Sequence, residues 1–159
     1  MDEVLSDFNG GYEWHYDELS NGDLTLTDFF ANLEWTSHGK QLWRAVSKMF
    51  SDIRILSTSN SNSEQHEESV RGKKLWVHKN LRTIPDDHIY VVEKRRYKAL
   101  YASETSILVD DLSDTIHEWE SKGGIGVLHN DEYVERTIAE LERIVHPSQL
   151  AELVKRFRK

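Results

Sequence analysis

The chain has 159 residues, a length that suits one domain with a substantial buried core. Its 28 acidic and 20 basic residues give a formal net charge of −8, which argues against non-specific binding to nucleic acid or to an anionic membrane. Cysteine is absent, which excludes disulfides and thiolate zinc sites, and no apolar run approaches the roughly twenty residues that span a bilayer. The N-terminus has neither the basic start nor the long apolar stretch of a signal peptide, so we expect a cytoplasmic protein.

Four short apolar stretches are typical of β-strands. Each is rich in Ile, Val or Tyr and lacks the strict alternation of a half-solvated antiparallel strand. They lie at residues 54–58 (RILST), 88–93 (HIYVVE), 106–111 (SILVDD) and 124–129 (GIGVLH).

Helical patterns lie between or after most of these stretches. Apolar residues recur at helical spacing over 42–50, 134–145 and 150–157, and the last pattern is entered through Pro147 and Ser148. Strands that alternate with helices predict βαβ units. We therefore predict a single α/β domain over 1–159, with a Rossmann-like, mostly parallel sheet flanked by helices.

Residues 9–45 differ from the rest of the chain because they combine many aromatic side chains with few β-branched ones. Such aromatic residues can simply form core. They can also form a small helical cap whose rings stack on a planar ligand such as a nucleobase. The pattern alone leaves both interpretations open.

Asp110 and Asp111 end the SILVDD stretch. Adjacent carboxylates repel each other, and at the end of a parallel strand they are best accommodated around a hard cation such as Mg²⁺. Acidic residues are also common at helix starts, where the helix dipole favours them. The sequence therefore offers a metal site and a helix start as alternatives.

Hydroxyl groups follow the first predicted strand at Ser57, Thr58 and Ser59, within a Ser- and Asn-rich segment. This segment suits either a mobile surface loop or a ligand-binding turn, since open parallel sheets bind ligands at the carboxyl ends of their strands. A hydroxyl with free backbone N–H groups can hold a phosphate oxygen there. Lys98 lies shortly before the SILVDD strand, although its neighbour Lys94 is an alternative cation.

The ordered set of hydroxyl, lysine and aspartate pair resembles motifs II, III and IV of the haloacid dehalogenase superfamily of phosphohydrolases. It is most similar to the 5'-nucleotidase-like, deoxyribonucleotidase-type branch. The segments that carry the resemblance are LSTS, KALYA and ILVDD followed by LSDTIHEWESKGGIGVLH. The stretch 28–46 is similar to the cap and return helix of that branch, with Gly39 and Lys40 opening the helix.

The resemblance implies a phosphatase that works through an aspartyl-phosphate with Mg²⁺ as cofactor. Thr58 would bind the transferring phosphoryl group, Lys98 would neutralise it, and Asp110 and Asp111 would hold the metal. It also implies the fold of that superfamily, with a small helical cap over residues 9–45.

The N-terminus departs from the family pattern, in which motif I reads DxD after an apolar strand. Asp2 aligns with the second aspartate of motif I, which implies that it is the general acid/base and a further metal ligand. Glu3 aligns with the glycine that usually follows. The nucleophilic aspartate would lie directly ahead of Met1. A truncated chain, a protein that has lost catalysis, and an accidental likeness are the three explanations, of which we favour truncation.

The resemblance also implies a substrate side, because the cap faces the strand ends in this family. Phe29, Phe30, Trp35 and Lys40 are the candidates there, beside Ser57 and Ser59 at the strand end. We expect a small phosphorylated substrate, a nucleoside monophosphate being favoured, and no membrane or nucleic-acid partner. A homo-oligomer stays open, and the alternative function is a catalytically dead nucleotide- or protein-binding module.

Overall fold

The computed structural model describes residues 1–59 and 63–146, without the side chains of residues 63 and 64. The helix predicted over 150–157 lies outside these residues. Within them the chain forms seven α-helices and four β-strands. The helices are α1 (Phe8–Trp14), α2 (Tyr16–Asn21), α3 (Leu26–Ala31), α4 (Gly39–Met49), α5 (Ser63–Asn80), α6 (Ser113–Ser121) and α7 (Val134–Val145). The strands are β1 (Ile55–Thr58), β2 (Ile89–Val92), β3 (Ile107–Asp110) and β4 (Ile125–Leu128).

Each predicted strand is confirmed to within two residues at either end. β1 runs parallel to β2, with Ile55 opposite Ile89, and β3 runs parallel to β4, with Ile107 opposite Ile125. Parallel pairs need a crossover, which α5 supplies for the first pair and α6 for the second. The α/β class and the parallel strand direction are therefore confirmed.

The sheet itself differs from the prediction of one continuous sheet. The described strands form two separate two-stranded sheets, β1–β2 and β3–β4. Local sequence patterns predict strands but not their pairing, which depends on contacts between distant residues. Here β1 and β3 each leave one edge without a neighbouring strand, and a groove lies between them.

The hydrophobic core gathers around the long helix α5. The buried face of α5 follows helical spacing through Ser69, Gly72, Lys73, Trp76 and Val77. This face packs mainly against α3, and the same core continues through α4, β4 and α7. Its buried members include Val4, Leu5, Phe29, Phe30, Leu33, Leu42, Trp76, Val77, Leu81, Val127, Val134 and Leu141.

Helix α3 packs closely on α5 at Gly72. A Cβ atom on Gly72 would lie 2.5 Å from the carbonyl oxygen of Thr27 and 2.8 Å from the Cβ of Phe30. A hydrogen bond also links the two helices, because the Thr27 hydroxyl donates to the Glu68 carbonyl oxygen at 3.2 Å. Only glycine lets the two helix backbones approach this closely.

Gly72→Ala therefore forces α3 away from α5, and we expect it to lower the free energy of unfolding by about 1–3 kcal/mol. Arg71→Ala is the matched control, because the neighbouring Arg71 is exposed on the same helix. Urea unfolding followed by circular dichroism measures both variants. A Gly72→Ala variant as stable as the parent would contradict the close helix contact.

Candidate functional site

The carboxyl ends of β1 and β3 bring together most of the predicted polar residues. Thr58 is the last residue of β1 and Asp110 is the last residue of β3. Each accepts a hydrogen bond from a buried lysine. The α-amino group of Met1 interacts electrostatically with Lys98, Asp2, Asp110 and Lys73, so these groups share one cluster. We call Met1, Asp2, Lys73, Lys98, Asp110 and Asp111 the charged cluster.

Lys73 is the central cation of this cluster, and sequence reasoning missed it. Its side chain is only 1 % exposed. Its ammonium group donates to the carboxylate of Asp2, to the hydroxyl of Ser57 at 2.9 Å and to the carbonyl oxygen of Thr58 at 2.9 Å. It also lies 4.5 Å from the centre of the Phe30 ring. The sequence signal was weak: Lys73 precedes Trp76 and Val77 by three and four residues, which places the three on one helix face.

Asp2 lies on the β1 side of the cluster. Its carboxylate accepts hydrogen bonds from Lys73, from the Ser57 hydroxyl at 3.4 Å and from the Ser6 hydroxyl at 3.3 Å. Burial by itself would raise the pKa of Asp2, but the charge of Lys73 and the ammonium of Met1 together hold that pKa below its usual range. Asp2 is therefore ionised in this arrangement.

Lys98 lies on the β3 side, where its ammonium group donates to Asp110 Oδ2 at 2.7 Å. Asp110 Oδ1 accepts from the backbone N–H of Leu112 at 3.1 Å. Both side chains are buried, whereas the competing Lys94 is exposed. Of the two lysines that the sequence left as alternatives, Lys98 is the one in the cluster.

Asp111 is the carboxylate of the cluster that lacks a matched cation. Partial burial and the neighbouring charge of Asp110 raise the pKa of Asp111. The raised pKa means that its surroundings disfavour the ionised carboxylate. A bound divalent cation would favour the ionised form and lower this pKa. The donor chemistry therefore fits Mg²⁺ in kind, although the described residues hold no group of three His, Cys, Asp or Glu side chains arranged around one metal position.

The three hydroxyl residues at the carboxyl end of β1 have different environments. Ser57 is buried and committed to Lys73 and Asp2. The hydroxyl of Ser59 lies 2.7 Å from His66 Nδ1. The hydroxyl oxygen of Thr58 is buried and has no hydrogen-bond partner among the described residues. An unsatisfied buried hydroxyl is costly, so Thr58 is the hydroxyl that a ligand could satisfy.

The candidates for the substrate side lie elsewhere. Phe29 and Phe30 are 3 % and 5 % exposed and belong to the core, where the Phe30 ring stacks on Phe8. Their rings therefore offer no free face for a base. Trp35 donates from its indole N–H to Asn80 Oδ1 at 3.0 Å and, with Lys40, lines a separate shallow pocket of about 360 Å³.

Comparisons with known proteins add no assignment: no protein family matches the chain, and no curated protein matches it. Among the described residues, no helix is long and apolar enough to cross a membrane.

Removal of the Lys73 ammonium should destabilise the fold strongly. Lys73→Met leaves the Asp2 carboxylate, the Ser57 hydroxyl and the Thr58 carbonyl without their shared donor, and we expect a loss of about 3–5 kcal/mol in the free energy of unfolding. Lys74→Met is the matched control, because Lys74 pairs with Asp86 at the surface and its loss should change little. Equal effects of the two variants in urea unfolding would contradict the central role of Lys73.

His129 gives the fold a separate dependence on pH. It follows β4, is buried, and its Nδ1 atom lies 2.9 Å from the Thr137 hydroxyl. Burial lowers the pKa of His129 from 6.5, Asp131 opposes this shift, and His38 adds to it. Below pH 6.5 the unfolded chain therefore binds a proton at this residue more readily than the folded chain does.

The free energy of unfolding should accordingly fall as the pH drops below 6.5. His129→Asn should reduce this slope, whereas His117→Asn, an exposed position on α6, should keep it. Urea unfolding at several pH values measures the slopes. A slope that His129→Asn leaves unchanged would show that other groups cause it.

Proposed function

We propose that this protein is a Mg²⁺-dependent phosphatase of the haloacid dehalogenase type, acting on nucleoside monophosphates or similar small phosphomonoesters. The observation that carries the proposal is that Lys98 binds Asp110 at the end of β3, Lys73 binds Thr58 at the end of β1, and the two lysines interact electrostatically. These residues come from three segments far apart in the sequence. Their convergence supports the order of motifs on which the resemblance depends.

The N-terminal segment supports the same proposal through its backbone. Glu3 has a φ of 56°, in the left-handed region that favours glycine. The family pattern places a glycine at this position. Asp2, directly before it, lies beside Ser57 at the end of β1. The left-handed backbone at Glu3 supports the likeness of this segment to motif I, although Glu3 replaces the glycine of the family pattern.

The proposed roles follow from the contacts of each residue. The unpartnered Thr58 hydroxyl would donate to a phosphoryl oxygen, and Lys98 would offset the phosphoryl charge. Asp110 and Asp111, with Asp2, would hold Mg²⁺, which supplies further charge neutralisation when bound. In the structure Lys98 donates to Asp110, and its ammonium group carries two further N–H donors through which it would bind a phosphoryl oxygen.

The reaction needs a carboxylate nucleophile, which the motif places directly ahead of Met1. Attack of that carboxylate on phosphorus would form an acyl phosphate and release the alcohol, which takes a proton from the general acid. Water would then hydrolyse the acyl phosphate and regenerate the carboxylate. Asp2 is the residue that the motif assigns as the acid and base.

One observation favours the alternative, a binding module without catalysis. A general acid works best with a pKa near the working pH, but Lys73 and Met1 lower the pKa of Asp2. Three side-chain donors also hold the Asp2 carboxylate in place. In this arrangement the Asp2 carboxylate serves as a structural anion, and phosphate could bind without being hydrolysed.

The test compares the chain with a version that carries a short apolar segment ending in aspartate directly ahead of Met1. We expect the extended protein to release phosphate from nucleoside monophosphates with Mg²⁺, and EDTA or Asp110→Asn to abolish the release. Lys98→Met should lower the rate by about 100-fold. Lys94→Met is the matched control and should leave the rate unchanged, because Lys94 is exposed outside the cluster.

Circular dichroism confirms that each variant is folded before rates are compared. Release that survives both EDTA and Asp110→Asn would overturn the proposed chemistry. If calorimetry detects nucleotide binding to both proteins and neither releases phosphate, the binding module is the correct function.

A further inference from the structure

The shallow pocket of about 360 Å³ beside Trp35 lies between α4 and the end of α5, and no residue of the charged cluster lines it. Four basic side chains line this pocket, and its lining holds no carboxylate. Lys40 and Arg44 lie on α4, Lys79 lies in the last turn of α5, and Arg82 lies in the turn that follows that helix. We call this site the cationic pocket. Its concentration of positive charge contrasts with the net charge of −8 of the chain.

The four cations of the pocket lack an acidic partner. All four are exposed, and none of them forms a salt bridge with another described residue. The neighbouring Lys74 and His78 of α5, by contrast, both pair with Asp86. Lys40 and Arg44 are four residues apart and therefore project from one face of α4. Like charges around one pocket repel each other, and a bound anion would remove this repulsion.

Two tryptophans supply the apolar part of the pocket. The indole N–H of Trp35 donates to Asn80 Oδ1 at 3.0 Å, and its ring centre lies 5.0 Å from that of Trp76. Lys40 Nζ lies 5.9 Å from the centre of the Trp35 ring. Trp43 is half-buried and also borders the groove between β1 and β3, and its indole makes no hydrogen bond or ring contact with the described residues. Indole rings beside cations suit a ligand in which a planar ring is joined to an anion.

We propose that the cationic pocket binds a nucleoside di- or triphosphate, with the phosphate chain on the four cations and the base against Trp43. A single phosphate monoester carries roughly two negative charges, which is too few for four cations, whereas a chain of two or three phosphates matches them. Lysine and arginine both donate to phosphate oxygens, and arginine does so through two parallel N–H groups. The pocket volume lies at the lower end of the range for small-molecule sites, about 300–1,000 Å³.

This ligand differs from the proposed substrate of the charged cluster in its charge and in its need for metal. The cluster combines lysines with carboxylates that would hold Mg²⁺. The cationic pocket has no carboxylate in its lining, so its cations can neutralise a phosphate chain without a metal ion. Binding in the cationic pocket is therefore independent of the proposed phosphatase, and it should persist in EDTA.

The probe is adenosine triphosphate in EDTA, and calorimetry with the whole chain measures its binding. We expect one site per chain and an affinity roughly tenfold or more above that of adenosine monophosphate, which leaves part of the positive charge unmatched. Inorganic tripolyphosphate should bind about fivefold more weakly than adenosine triphosphate, because it has no base to stack on an indole. No binding of adenosine triphosphate, or equal affinity for the mono- and triphosphate, would overturn the proposal. Equal affinity for tripolyphosphate and adenosine triphosphate would overturn the assignment of a nucleotide.

Substitutions in the pocket test the two halves of the ligand separately. Arg44→Gln should weaken binding of adenosine triphosphate about tenfold, because it removes a charged donor. Arg71→Gln is the matched control and should keep the parent affinity, since Arg71 is exposed and does not line the pocket. Trp43→Leu should weaken adenosine triphosphate about fivefold and leave tripolyphosphate unchanged. If Trp43→Leu does not fold, the comparison of the two ligands on the unchanged chain still decides.

Lys98→Met distinguishes the cationic pocket from the charged cluster. Lys98 does not line the pocket, so this variant should bind adenosine triphosphate as the parent does. Loss of binding in Lys98→Met with full binding in Arg44→Gln would overturn the proposal and assign the ligand to the charged cluster. Circular dichroism confirms folding, and if Lys98→Met does not fold, Arg44→Gln compared with Arg71→Gln gives the assignment. None of these measurements reads phosphate release, so a failure of the proposed phosphatase leaves them unaffected.

Discussion

The structure depends on the buried ammonium group of Lys73. This one group joins the N-terminal loop through Asp2, the end of β1 through Ser57 and Thr58, and the middle of α5, on which Lys73 lies. Burial of a lysine costs several kcal/mol unless its charge and its donors are matched. Here a carboxylate, a hydroxyl and a backbone carbonyl provide that match. The position of α5 is therefore coupled to the geometry of the charged cluster.

The charged cluster also explains how the ends of β1 and β3 are held near each other although the described strands do not pair across the groove. Lys73 holds the end of β1, and Lys98 holds the end of β3 through Asp110. Met1 lies between these two pairs and interacts with both. Electrostatic contacts at one end thus join two sheets that have no ladder of backbone hydrogen bonds between them.

The local elements could be predicted from the sequence because their signals are local. The strand bounds follow from compact apolar runs, and α4 and α7 follow from apolar residues at helical spacing. Lys73 could not be recognised in the same way, since α5 is mostly polar and a lysine on a helix usually faces water. The sequence pattern fits Phe29 and Phe30 either as core residues or as rings that stack on a ligand. Their packing in the folded protein shows that they are core residues. The split sheet likewise depends on pairing between distant segments, which no local pattern encodes.

The groove and the candidate phosphate site are two ends of the same feature, because the strands that border the groove also end at the cluster. Val109 faces the groove with its backbone, and the next residue, Asp110, binds Lys98. Leu56 and Thr58 likewise border the groove on the β1 side, next to Ser57 and Lys73. Met1 lines the groove at this end, and its α-amino group interacts electrostatically with both Lys73 and Lys98. The geometry at the ends of β1 and β3 is therefore coupled through one set of charges, and a substitution at either lysine should alter the environment of the other.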